Sequence, residues 1–125
     1  MADRLRPVDA RTLGAVAALI AVVTTVASRE DAQTIARALV DARLAACVQI
    51  SAIESVYRWD GQVQSDPEYR VLCKTTAANW VVVEAAIRER HPYDLPQIVA
   101  FALDPVAADY AGWVESECAV SVPSR

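Results

Sequence analysis

Apolar and polar positions alternate along this chain with two different periods. Leu19-Ile-Ala-Val-Val-Thr-Thr-Val26 is a continuous apolar run rich in β-branched residues. It reads as a buried strand. Ser28 then opens a helix, with Glu30 and Asp31 in its first turn, where carboxylates oppose the helix dipole. Ala32, Ile35, Ala36, Leu39, Val40 and Leu44 recur at helical spacing, and Gln33, Arg37, Asp41 and Arg43 take the opposite face. From Ala46 to Trp59 the spacing is that of an extended strand. Asp60-Gly61 marks a hairpin, and the chain returns through Val63 to Thr75. Pro67 in the returning strand requires an edge or a bulge. Thr75 or Thr76 is the cap expected for a second helix, which ends at His91 because Pro92 follows. A strand over Gln97 to Leu103 and a short helix over about Val106 to Glu115 complete the pattern.

The order β-α-β-β-α-β plus a helix predicts an α+β, ferredoxin-like split βαβ fold, with helices on one face of an antiparallel sheet. Residues 1–16 form an N-terminal tail, 17–116 the domain and 117–125 a C-terminal tail. Arg4, Arg6 and Arg11 ahead of Leu13 to Val23 resemble a signal peptide. The strand reading is preferred, because cleavage after Ala27 would remove the first strand. The apolar run is too short to span a membrane.

The hairpin is long for its domain. Fourteen extended residues would run roughly 46 Å, against a diameter of roughly 36 Å for a compact domain of this size. Its tip is apolar and aromatic, with Val56, Tyr57, Trp59 and Val63. A bare ribbon of this kind is marginal in water. The expected solution is packing against another subunit, with Tyr57 and Trp59 as interface anchors. The alternative is a bend or bulge that folds the hairpin back.

Composition narrows the chemistry. The net charge is −4, and Lys74 is the only lysine among twelve basic residues. No basic stripe is available to neutralise phosphates, so no nucleic-acid partner is expected. Three cysteines, Cys47, Cys73 and Cys118, make neither a disulfide framework nor a CxxC pair, which points to a reducing, cytoplasmic setting. Cys47 and Cys73 read as core thiols and Cys118 as an exposed, oxidisable one. The single histidine, His91, is either a metal ligand or acid/base group, or a cap on the second helix. No Ser/His/Asp order, phosphate-cradling glycine loop or metal-ligand cluster marks an enzyme. Catalysis would have to fall on His91 with Asp94 or Lys74, and none is expected.

The ordered set Leu44-Ala-Ala-Cys47, Tyr57-Arg-Trp59-Asp-Gly61, Glu68 ahead of Lys74-Thr75, His91-Pro-Tyr-Asp94, Pro96-Gln-Ile98, and Tyr110 with Trp113 resembles the CutA family of divalent-cation tolerance proteins. The resemblance runs from about Val22 to Trp113. It implies a homotrimer joined through its hairpins, with Tyr57, Trp59 and Trp113 at the interface. It also implies divalent-metal tolerance through weak binding of Cu(II) or another divalent cation, not needed for folding, with His91 and Asp94 as candidate ligands. The likeness of such trimers to PII signalling proteins gives an alternative. In it, Lys74, Glu68 and Tyr93 line an intersubunit cleft for a small anion or polar ligand. Three departures weaken the metal site. Thr24 stands where many bacterial members have cysteine, Asp94 replaces the usual glutamate, and Gln97 replaces another. A tryptophan often found at the hairpin tip is Arg58 here.

Overall fold

The computed structural model describes residues 18–119. The N-terminal tail assigned to residues 1–16 lies outside them, as does the C-terminal tail beyond residue 119. Strand β1 spans Leu19–Val26, and every residue but Ile20 is buried, as its β-branched run predicts. Helix α1 spans Arg29–Asp41. Ser28 caps it with extended backbone, its Oγ accepting from the Asp31 amide at 3.0 Å. Ala32, Ile35 and Leu39 form its buried stripe. The apolar spacing extends the helix to Leu44, but it stops at Asp41. Arg43 takes the left-handed conformation (φ 60°), and Leu44 beyond it folds back so that its amide meets the Leu39 carbonyl.

β2 (Cys47–Trp59) and β3 (Gln62–Thr76) form one antiparallel ladder, with a partner for every residue from Cys47 to Trp59. Asp60 and Gly61 both have positive φ, which closes the two-residue turn in the twist that hairpins favour. The ladder has no bulge, and Val56, Trp59 and Val63 near its tip stay exposed. β1 pairs with β3 only from Tyr69 to Thr76. Pro67 therefore sits where β3 has one neighbour, as its missing amide requires.

The second helix starts later than the sequence predicts. β3 runs on through Thr76, a 3₁₀ turn covers Ala77–Asn79, and α2 spans Trp80–Arg90. Neither threonine caps it. The Thr75 hydroxyl instead donates to the Leu44 carbonyl at 2.7 Å, because Thr75 is fully buried in the ladder beside Ile20. α2 ends before His91-Pro92, as expected. β4 covers Val99–Leu103, two residues shorter than the expected strand, and α3 covers Ala108–Glu117.

The sheet order β2-β3-β1-β4, all antiparallel, is the ferredoxin-like arrangement. Val22, Val26, Val71 and Cys73 meet Ile35, Leu39, Val83 and Ile87 from α1 and α2 in the main core. A second cluster joins Val114 and Ala111 of α3 to Leu19, with Trp113 and Tyr110 at its margin. Cys118 corrects the sequence reading. It is buried, with its Sγ 3.5 Å from the Thr75 hydroxyl. The cause is the docking of the chain after α3. The Ala119 amide donates to the Arg43 carbonyl, and the Arg43 guanidinium donates to the carbonyls of Ser116 and Glu117.

Ile35 is 1% exposed at the centre of the main core. Replacing it with alanine leaves a cavity, so Ile35→Ala is expected to lower unfolding stability by about 2–5 kcal/mol. Denaturant unfolding at constant protein concentration measures this.

Candidate functional site

The hairpin outruns the sheet, and a cleft opens where it does so. Its volume is about 730 Å³. The hairpin supplies Glu54, Tyr57, Trp59 and Glu68, the end of β1 supplies Thr25, and the loop from α2 to β4 supplies Tyr93, Asp94 and Gln97. Tyr93 Oη donates to Glu68 Oε2 at 2.8 Å across the cleft wall. On the hairpin itself, Tyr57 Oη donates to Asp66 Oδ2 at 2.6 Å, and the Ser65 hydroxyl to Glu54 at 3.4 Å. Both phenols are held in the neutral form. Desolvation and then the bond to Glu68 push Tyr93 above the usual tyrosine range, and the bond to Asp66 raises Tyr57. Among the described residues that line the cleft, three are carboxylates and none is basic. Such a surface favours cations over anions.

His91 stands behind Tyr93. The Tyr93 backbone N–H donates to His91 Nδ1 at 3.1 Å, so Nδ1 is an acceptor and carries no proton. Nε2 must then be the protonated nitrogen. It donates to the Thr25 carbonyl at 2.9 Å, with the Thr24 hydroxyl at 3.0 Å. The imidazole and the Tyr93 ring lie 4.8 Å apart, tilted by 58°. Of the two sequence alternatives for this residue, the capping contact is made by the backbone alone, His91 N–H to the Arg88 carbonyl. Burial of the ring lowers its pKa below the ordinary 6.5. The Thr25 bond and the charges of Asp31 and Glu68 oppose that shift, and Arg88 reinforces it.

The structure thus gathers Glu68, Tyr93 and Asp94 at one cleft and leaves Lys74 out of it. Lys74 is six residues along β3 from Glu68, roughly 20 Å away. Its ammonium donates to Tyr110 Oη at 3.3 Å and lies 5.3 Å from that ring. Trp113 sits beside Tyr110, ring centroids 5.6 Å apart, against α3's own cluster. Among the described residues, no three His, Cys, Asp or Glu side chains converge as a metal site would need. Cys73 is a core thiol, as its alternation predicts. Burial first, and the neighbouring Cys47 second, push its pKa up to about 12. Sequence reasoning missed Glu54 and the Tyr57–Asp66 and Thr24–His91 contacts. The first two show only as polar positions alternating along the hairpin. The last joins residues 67 apart and has no local signal.

The His91 environment has a pH consequence. The unfolded imidazole titrates near 6.5 and the folded one lower, so the folded state binds protons less readily. The contribution is complete above about pH 6.5 and is lost as pH falls from there through the folded value. The thermal midpoint of the wild type is therefore expected to fall more steeply below pH 6.5 than that of His91→Gln. Parallel melts from pH 8 to 5 check this, and His91 is the only histidine in the chain.

Comparison with known proteins agrees with the sequence resemblance and with the fold. The profile of the family described as CutA1 divalent ion tolerance protein matches residues 20–117. The divalent-cation tolerance protein CutA of Thermus thermophilus is 43% identical over 94 residues, covering 74% of this chain and 91% of that protein. The crystal structure of CutA1 from Oryza sativa superposes with a TM-score of 0.82 at 31% identity, covering 85% of this chain and 98% of that one. CutA from Synechococcus elongatus gives 0.79 at 34% identity, covering 82% and 92%. In sequence and in architecture, this chain belongs to the CutA1 family of divalent ion tolerance proteins.

Proposed function

We propose that the protein acts in divalent-cation tolerance as a homotrimer, without catalysing a reaction, and that the acidic cleft is where it meets cations. The observation that carries this reading is the composition of the cleft, three carboxylates and two phenol oxygens with no basic side chain among the lining residues. Such hard oxygen donors suit a divalent cation held weakly and reversibly. Cu(II) reaches the protein, on this reading, through Glu68 and Asp94 and not through the half-buried imidazole. The three free thiols suit a reducing compartment, the cytoplasm. Among the described residues, no helix is long and apolar enough to cross a membrane.

Self-association is supported by the hairpin. Val56 is 67% exposed, Val63 63% and Trp59 56%, on a ribbon whose outer edge at β2 has no partner strand among the described residues. Apolar side chains on an open edge favour association with another chain. A closed ring of copies removes such edges without leaving a growing end.

A second reading is a PII-like module that binds a small molecule. The size of the cleft and its Tyr57, Trp59 and Tyr93 walls favour it. Its ligand would be cationic, since Lys74 does not reach the cleft within the chain.

Native mass spectrometry with and without Cu(II) tests the proposal. A trimer that takes up copper is expected. Glu68→Gln with Asp94→Asn is expected to weaken uptake by roughly tenfold, about 1.4 kcal/mol, with the trimer intact. Trp59→Ala is expected to loosen the trimer instead. A monomeric wild type refutes the assembly. A trimer indifferent to Cu(II) but selective for organic amines supports the second reading.

A further inference from the structure

The family's name implies a divalent metal, and the residues around the single imidazole do not fit one. A metal ligand needs a free lone pair on nitrogen. His91 Nδ1 spends its lone pair on the Tyr93 N–H, and Nε2 carries the proton that goes to the Thr25 carbonyl. The side chain that meets Nε2 is the fully buried Thr24 hydroxyl, a neutral oxygen and a poor ligand for a soft or borderline ion. His91 does not line the cleft either. Freeing Nε2 would break the bond that ties the α2–β4 loop to β1, and freeing Nδ1 would break the bond that holds the Tyr93 amide.

We infer that His91 is a positioning residue, fixed as the Nε2–H tautomer, that holds the Tyr93 backbone so that the Tyr93 phenol stays on Glu68. The chain of contacts is short and continuous. The Thr25 carbonyl fixes the ring, and the ring fixes the Tyr93 amide. The Tyr93 side chain then packs at 4.8 Å from the same ring and donates to Glu68. Among the described residues, the polar ties from this loop to β1 run through the imidazole, so its loss releases the Tyr93 phenol from Glu68. The purpose of this positioning rests on the cleft reading above. The state of the imidazole does not, so the two can fail separately.

One histidine in the chain makes the test direct. Long-range proton–nitrogen spectra of ¹⁵N-labelled wild-type protein report both ring nitrogens, and Zn(II) serves as a diamagnetic probe. The expected result is a protonated Nε2 and an unprotonated Nδ1, neither moved by Zn(II) at concentrations that shift signals of the cleft. A protonated Nδ1, or a shift of either nitrogen into the metal-bound range, overturns the inference. Amide exchange tests the positioning. His91→Ala is expected to speed exchange at Tyr93 by roughly tenfold or more, with the β1–β3 ladder unchanged. His91→Asn, whose side-chain oxygen can accept where Nδ1 did, is expected to keep most of the protection. Equal loss of protection in both variants, or none in either, overturns the positioning role.

Discussion

Strand β3 has two neighbours along one half and a single neighbour along the other, and the functional architecture follows from that mismatch. β1 is eight residues long and β2 thirteen, so the β2–β3 ladder continues past the end of its third strand. The change of neighbours falls between Glu68 and Tyr69. On one side of it the ladder is packed beneath α1 and α2. On the other it is a two-stranded ribbon that runs clear of both helices. The step between the two is a concavity, and the loop after α2 lies over it. A cleft at this point needs no special device, because a sheet that narrows abruptly leaves one.

The parts of this geometry that depend on local chemistry were readable from the residues. The β-branched run at β1, the Ser28 cap, the Asp60-Gly61 turn and the stop before Pro92 each rest on interactions within a few positions. What escaped depends on contacts far apart in the chain. Thr75 has the chemistry of a cap, yet its hydroxyl meets Leu44, 31 residues away. Leu44 fits the apolar stripe of α1 and is still outside it, since the chain turns at Arg43, whose guanidinium meets the last carbonyls of α3. Cys118 looked like a tail residue because nothing nearby in sequence shows that the chain docks again on Thr75. Lys74 and Glu68 share a strand and a face, and only the register shows that they serve opposite ends of it.

Family membership and site chemistry carry different information here. The first rests on the whole fold and on identity across most of the chain. The second rests on a few substitutable side chains. Asp94 and Gln97 lie on the loop after α2, where a substitution alters the donors and leaves the ladder beneath them in place. The cleft keeps its acidic character, because Glu54 and Glu68 come from the ladder itself.

The central position of β1 has a consequence for synthesis. Among the described strands it is the first made, and its second partner is the last. Leu19 pairs with Leu103 and Val23 with Val99. At ordinary ribosomal rates the nascent chain holds its most apolar strand without that flank for on the order of ten seconds. The β2–β3 ribbon, by contrast, closes on itself as soon as Gly61 and the few residues after it emerge. Until β4 is made, α1, α2 and the β3 ladder cover β1, and its outer edge stays open to pairing with another chain.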